Sequence, residues 1–521
     1  MEEKRLLKEI VEELKKEKKL TREKVWRIVK RICKKYNAKT IPTSIQILQA
    51  CTEEEKEKLK DFLLMKPGRT ISGVSVITVV PKPAKCPGKC IYCPKGENAP
   101  QSYVGLEPAI QRAIQNNYDP FLQVNYRIRQ YELMGHPVDK VELIIIGGTF
   151  LALEKSYQEW FVKRLFDALN GKEAGSLEEA IKANEEGRIR CSGLTIETRP
   201  DFCFEEHINQ MLKLATTRVE IGVQSIYPEI LKKANRIHSL EDVKKATQLS
   251  KDSCLKCTWH IMPGLFTSFE EDLKQFKEIF ENPDFRPDSL KIYPTLVIKG
   301  TKLYDMWKKG EYRPLEEKKA TELIAKALEY IPKYCRIIRM QRDIPASHIV
   351  AGVKKSNLRE LVERRAEELG IRIKEIRYRE IGHKIEKGIS VDFDKIELCR
   401  LDYEASKGKE IFLSFEDLKN DVLIAFLRLR IPFKPFRKEI TEKTALVREL
   451  HVYGPLVPVG KFKEDAFQHK GLGKRLLEEA ERIAKEEFNM NKIVVISGAG
   501  VKKYYYNLGY KPDGPYVSKV L

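Results

Sequence analysis

Residues 72–96, SGVSVITVVPKPAKCPGKCIYCPKG, pass from an apolar run of strand character straight into a loop that holds Cys86, Cys90 and Cys93. No further cysteine or histidine follows nearby to close a four-ligand metal site. A cubane four-iron four-sulfur (4Fe-4S) cluster normally takes four thiolates, so three leave one iron open to an exogenous ligand. The same logic separates a catalytic zinc from a structural one. A structural zinc would more commonly be built from paired CxxC units.

Outward from this loop the chain alternates strand-like runs with amphipathic helices. The runs are SGVSVITVV (72–80), VELIIIGG (141–148), GLTIET (193–198), TRVEIGV (217–223), LKCTWHIM (255–262), DSLKIYP (288–294) and CRIIRMQ (335–341). Helical periodicity falls between them at 157–169, 204–214, 239–251, 269–280 and 316–331. Near-continuous apolar strands joined by helices predict a parallel α/β sheet with helices outside, a barrel or an open sheet. Ligands then belong at the C-terminal strand ends. There stand Gly147, Gly148 and Thr149 in IIIGGTF, Glu197 and Arg199 in ETRP, and Gln224 in GVQS. Together with the cysteine loop they outline one pocket.

The Cys86-x3-Cys90-x2-Cys93 spacing, with Tyr92 before the last cysteine, resembles that of radical S-adenosylmethionine (radical SAM) enzymes. Cys254 and Cys257 also form a CxxC, but in an extended run residues three apart point to opposite faces, so both are expected in the core. Cys33, Cys51, Cys191, Cys203, Cys335 and Cys399 are isolated and are expected there too.

The 521 residues exceed what one core organises, and no apolar run approaches the roughly 20 residues that span a bilayer. The N-terminus is charged and lacks a secretory signal, so a cytoplasmic protein without disulfides is expected. A formal net charge of +20 favours a polyanionic partner. Residues 1–36 read as two amphipathic helices, with Leu6, Ile10 and Leu14 on one and Val25, Ile28, Val29 and Ile32 on the other. Lys and Arg crowd their polar faces, and the KPGRT punctuation at 66–70 follows.

After about residue 390 the pattern changes to α+β. Four strand-like runs (395–405, 410–417, 422–430 and 445–454) precede a helix at 473–487, a strand at 492–497, a short helix at 500–508 and a final strand. Gln468-x-x-Gly471-x-Gly473 opens the long helix, where backbone N–H groups and the helix dipole can cradle a pyrophosphate. That order is similar to GNAT-type acetyltransferases. The match implies pantetheine contacts at Glu449, Leu450, His451 and Val452, and phosphate contacts at Leu472, Gly473 and Lys474. It also implies a tyrosine that protonates the departing thiolate, Tyr505 first and Tyr504 second.

A radical SAM domain joined to an acetyl-CoA domain resembles the family of Elongator catalytic subunits, the tRNA uridine acetyltransferases. Matching stretches include QSYVGLEPAIQRAIQNNYDPF, VDKVELIIIGGTF, LKIYPTLVIKGT, QRDIPASHIVAGV and LHVYGPLVPVG, and the resemblance spans residues 66–521. It implies a partial (β/α) barrel of radical SAM type at 67–345, a linker at 346–390 and a GNAT-type domain at 391–521. Residues 1–66 would then be a basic helical tRNA-binding segment.

The implied reaction uses a 5′-deoxyadenosyl radical to activate the methyl group of acetyl-CoA. The carbon adds to carbon 5 of the wobble uridine of tRNA, and thioester hydrolysis leaves 5-carboxymethyluridine. Implied partners are tRNA, acetyl-CoA and an electron donor for the cluster. A homodimer and Elongator-like accessory subunits are compatible with this, and no membrane is involved. The same match makes Lys140 an acetyl-CoA contact and Lys291 a catalytic residue facing the barrel pocket. The family's linker zinc is not expected, because Ile373 stands where a ligand cysteine would be. The competing readings are a protein-lysine (histone) acetyltransferase with a structural cluster and a tRNA-binding scaffold whose cluster is vestigial. A strongly basic protein is poorly matched to a Lys-rich substrate tail.

Overall fold

The computed structural model describes residues 2–17, 19–38, 40–63, 73–136, 138–392, 395–454 and 471–521. The N-terminal part forms four helices, α1 (Glu2–Lys16), α2 (Arg22–Lys35), α3 (Ser44–Gln49) and α4 (Glu53–Leu63). Thr21 caps α2, and Thr43 with Gln46 forms a reciprocal capping box on α3. Leu6, Ile10, Leu14, Val25, Val29 and Ile32 meet Ile47, Leu48, Leu59 and Leu63 in a core of their own. The two helices read over residues 1–36 are α1 and α2; α3 and α4, which follow them, supply the apolar cover that the first pair needs.

Seven strands follow: β1 (Ser75–Val79), β2 (Lys140–Ile145), β3 (Arg190–Thr198), β4 (Arg218–Gln224), β5 (Lys256–Ile261), β6 (Ser289–Ile292) and β7 (Arg336–Arg339). They pair in sequence order, every neighbour parallel, and β1 does not pair with β7. The sheet is therefore a partial barrel. Its outer face packs apolar residues such as Ile77, Leu143, Leu194, Val219, Trp259 and Leu290 against the helices. The inner parity is unusually polar, and that sets the site. A ribbon of Val297–Ile298 and Ile349–Ala351 and the helix Leu358–Glu368 lead away from the barrel.

The second sheet contains β8 (Glu397–Ala405), β9 (Gly408–Asp417), β10 (Val422–Ile431), β11 (Thr444–Val452), β12 (Lys492–Val495), β13 (Lys511–Asp513) and β14 (Tyr516–Val520). Strands β8 to β11 form an antiparallel meander, and β12 runs parallel to β11. The chain closes on a hairpin, β13–β14, rather than a single strand, because Gly514 at φ 60° permits a tight turn. Cys399 is a correction: it lies half-buried on the edge strand β8, whose face is largely exposed, while the other isolated cysteines are buried.

Two features fuse the sheets. Gly498 and Gly500 pack on the start of β3 so closely that a Cβ at Gly498 would lie 2.3 Å from the Ser192 carbonyl. Beside them Lys251, Asp252 and Asp288 from the barrel meet Glu410, Arg430 and Arg448 from the second sheet, all fully buried. Arg448 bonds Asp288 with both terminal nitrogens, at 2.7 and 2.6 Å, and Arg430 reaches Asp252 at 2.8 Å. Three cations balance three carboxylates, which is what makes such burial tolerable.

Candidate active site

At the upper mouth of the barrel, the C-terminal strand ends, the three cysteines sit half-buried in the loop after β1. Each sulfur accepts one N–H donor. Cys86 takes the Gly88 amide at 3.4 Å, Cys90 takes Arg236 Nη1 at 3.4 Å and Cys93 takes Gln101 Nε2 at 3.3 Å. Donors aimed at sulfur tune an iron–sulfur centre. Among the described residues, the one set of His, Cys, Asp and Glu ligand atoms all within 4.8 Å of one another is Glu197, Glu220 and His260. The cysteine sulfurs are thus not drawn in around one small ion, and this soft, spread donor set fits a cluster.

Gly147 and Gly148 have φ of 122° and 77°, conformations that favour glycine, and Thr149 Oγ1 lies 3.8 Å from Cys86 Sγ. Gln224 is left-handed at φ 71° although not a glycine, and its Oε1 faces the cavity without a partner. Such strain is commonly kept where a side chain must be aimed. Tyr92 is buried beside the loop and accepts from Arg236 Nη1 at 3.3 Å. Arg199 departs from expectation. Its Nε binds Asp201 at 2.9 Å, and the side chain stands beside Gly88 rather than on the cavity wall. The turn that follows β3 places Asp201 to capture it.

One cavity of about 1060 Å³ runs from Tyr92 and Gln224 through the barrel to the second sheet. In mid-lumen Lys291 Nζ lies 3.0 Å from Glu197 Oε1 and also contacts Glu220, while Glu220 Oε2 lies 2.9 Å from His260 Nε2. Burial alone would raise the Glu220 carboxyl, but Lys291 and His260 hold it below its ordinary value. Burial opposes the Lys291 charge, and the facing carboxylates, Glu220 foremost, keep it protonated.

At the lower mouth Lys140, Arg190, Arg218, Lys256 and Arg336 stand at the strand starts. Burial pushes the Lys140 ammonium below its ordinary value. There β11 pairs with β12 only over Thr444–Val447, and Arg448 is the extra residue of a bulge against β10. Glu449, Leu450, His451 and Val452 therefore line the cavity past the splay, with a backbone edge that β12 no longer covers. Burial would raise Glu449, but Lys256, Arg428 and Arg218 bring its carboxyl down to about 2.

Gly471, at φ 72°, caps the helix Leu472–Arg482. The Leu472 side chain is buried, so only its amide is placed for a ligand, and Lys474 is exposed 3.6 Å from Glu478. A Cβ on Gly473 would meet the Tyr504 hydroxyl at 2.8 Å. Tyr505 is buried against Tyr504 and Tyr510, and both Tyr504 and Tyr505 line the cavity. Gln468 lies outside the described residues. Ile373 is packed in the core.

Sequence reading missed Gln101, Arg236, Glu220, His260, Asp288 and Arg448. The signal for two of them was present: Glu220 and His260 interrupt apolar strands.

Residues 80–279 match the model of the radical SAM superfamily, 287–368 the Radical_SAM C-terminal domain, 3–71 the ELP3 N-terminal domain and 385–510 the GNAT acetyltransferase family. The tRNA uridine(34) acetyltransferase of Methanocaldococcus jannaschii is 58% identical over 489 residues, covering 92% of this chain and 90% of that protein. The chain belongs to the Elongator complex protein 3 family. The Elongator complex protein 3 of Saccharomyces cerevisiae is 45% identical over 512 residues, covering 94% of this chain and 91% of its own. The solved structure of Methanocaldococcus infernus Elp3 with an N-terminal deletion superposes with a TM-score of 0.78 at 55% identity, covering 87% of this chain and all of that one. The fold is thus that of an Elongator complex protein 3, a radical SAM partial barrel joined to a GNAT domain. No described helix is long and apolar enough to cross a membrane.

Proposed function

We propose that this chain is a tRNA-modifying enzyme that carboxymethylates carbon 5 of the wobble uridine, position 34, using S-adenosylmethionine and acetyl-CoA. The observation that carries the reading is the single cavity joining the cysteine loop to the splayed strand β11 through the barrel. A lysine acetyltransferase with a merely structural cluster has no use for such a passage. When bound, the 4Fe-4S cluster and S-adenosylmethionine supply a radical able to take hydrogen from an inert methyl group.

In this reading Cys86, Cys90 and Cys93 hold the cluster, and Gly147, Gly148, Thr149, Glu197 and Gln224 hold the cofactor, with Tyr92 and Arg199 supporting the loop. The edge of Glu449–Val452 aligns the pantetheine. The amides of Leu472, Gly473 and Lys474, with Gly471 and Gln468, take the phosphates, and Lys140 guards the lower mouth. Tyr505, or its neighbour Tyr504, protonates the departing sulfur. Lys291 offers a fixed positive charge where the acetyl group must sit. Residues 1–66 dock the tRNA backbone, 67–345 house the radical chemistry, 346–390 connect, and 391–521 hold acetyl-CoA. In this reading the reaction belongs in the cytoplasm, which a tRNA substrate supports, with a separate protein donating electrons.

The test is anaerobic reconstitution with iron and sulfide, then incubation with tRNA, S-adenosylmethionine, acetyl-CoA and a reductant. Nucleoside mass spectrometry should find 5-carboxymethyluridine. Stoichiometric zinc without iron, or acetylated lysine with unmodified tRNA, overturns the reading.

A further inference from the structure

The reaction ends in a thioester hydrolysis, for which the residues assigned above provide no base. Carbon–carbon bond formation leaves the new two-carbon unit attached to CoA, and releasing it requires an activated water beside the thioester carbonyl.

Mid-lumen holds the groups for this. His260 on β5 and Lys291 on β6 are register partners, so their side chains enter the lumen next to each other. Glu220 is fully buried beneath them, and its Oε2 meets His260 Nε2 at 2.9 Å. Lys291 lines the cavity, and of the Glu220–His260 pair it is the imidazole that lines it beside the lysine. Its other nitrogen, Nδ1, makes no hydrogen bond to any described residue. With Glu220 ionised, the proton sits on Nε2 and the lone pair on Nδ1, the state a general base needs. Tyr293 packs on the ring at 73° and 5.5 Å between centroids and fixes its plane. The Glu197–Glu220–His260 set could suggest a metal, but the Lys291 ammonium already contacts both carboxylates and supplies the cation. Glu197, near the C-terminal end of β3, lines the same cavity and through Lys291 joins this layer to the cofactor pocket above.

We propose that His260, held by Glu220, is the general base that hydrolyses the tRNA-linked thioester inside the barrel, with Lys291 facing the carbonyl oxygen. Water oxygen bonds to the thioester carbon, and its proton passes to Nδ1. The carbon–sulfur bond breaks with its electron pair on sulfur, Tyr505 or Tyr504 protonates that sulfur as assigned above, and the proton held on Nδ1 is passed on to restore the tyrosine. The products are the carboxylate on the nucleoside, free CoA thiol and one proton released to solvent, and no oxidant or reductant is consumed. Glu220 acts through His260 and is a positioning residue.

This rests on the function proposed above, and the test separates the two. Wild type, H260Q and E220Q, each loaded with cluster, receive tRNA, S-adenosylmethionine and acetyl-CoA. 5′-Deoxyadenosine, carboxymethyluridine and CoA-linked uridine are quantified together. In H260Q the glutamine amide still reaches Glu220 but cannot take a proton. The ratio of carboxymethyluridine to 5′-deoxyadenosine should fall about 100-fold or more. A CoA-linked uridine that hydroxylamine releases should accumulate in its place. E220Q should show the same adduct with a smaller fall, and it carries the test if H260Q does not load the cluster. An unchanged product ratio, or a fall without the adduct, overturns the assignment. Absence of 5′-deoxyadenosine from the wild type overturns the proposed function instead.

Discussion

The two mouths of the barrel are built on opposite plans. The upper one is assembled from short contiguous motifs: the cysteine loop, the Gly147–Gly148 turn and the ends of β3 and β4. Each sulfur there meets a donor, two of them uncharged, and the local backbone fixes most of the geometry. The lower mouth is assembled from five strand starts and a bulge contributed by another domain. It is held open by buried charge, chiefly Arg448 on Asp288. Local motifs make a site whose parts fail singly. A charge network makes one that fails as a unit.

The sharpest way to separate the mouths is to remove a cysteine. Changing Cys90 or Cys93 to Ala should abolish cleavage of S-adenosylmethionine and reduce bound iron below the roughly four expected of a cubane cluster. Acetyl-CoA affinity, measured by calorimetry, should remain.

Arg448→Met tests the other plan. It leaves three buried carboxylates facing two cations and strips Asp288 of its two-pronged partner, so unfolding free energy should fall by about 3–5 kcal/mol in denaturant titration. Burial would raise the Asp288 and Glu410 carboxylates, but Arg448 and Lys251 hold them below their ordinary values. Their stabilisation is complete above about pH 5 and fades as pH falls below about 4. Wild type should lose stability with acid over that window more steeply than the variant. Equal acid sensitivity would mean that the network does not hold the domains.

Gly473→Glu acts within the lower mouth alone. It sets a carboxylate on the phosphate loop and a Cβ against the Tyr504 hydroxyl, so acetyl-CoA binding should weaken by about 100-fold or more, about 2.7 kcal/mol. Cluster content should not change.

The smallest effect concerns the N-terminal helices. Lys15, Lys16, Arg31 and Lys35 are paired with Glu55, Glu13, Glu13 and Glu9. Lys8, Arg27, Lys30 and Lys34 are exposed and make no ion pair with any described residue. Reversing these four to Glu should flatten the salt dependence of tRNA binding by roughly 0.7 to 0.9 in log K per lost contact per decade. An unchanged slope places the docking surface elsewhere.

The strand–helix alternation of the barrel was legible because each parallel strand carries its own apolar run, and every run became a strand. The cysteine loop and the glycine turns were legible for the same reason: spacing along the chain sets their geometry. Local sequence also fixed the helix that opens at Gly471 and the amphipathic faces of α1 and α2. What only the tertiary structure decided is which distant charges meet. Asp288 and Arg448 are 160 residues apart, Glu220 and His260 are 40 apart, and Arg236 is 146 from Cys90. A buried charge needs a counter-charge within a few ångströms, and a chain that folds back on itself can supply one from any position along its length. Periodicity shows which face of a strand turns inward, and only packing shows what stands opposite.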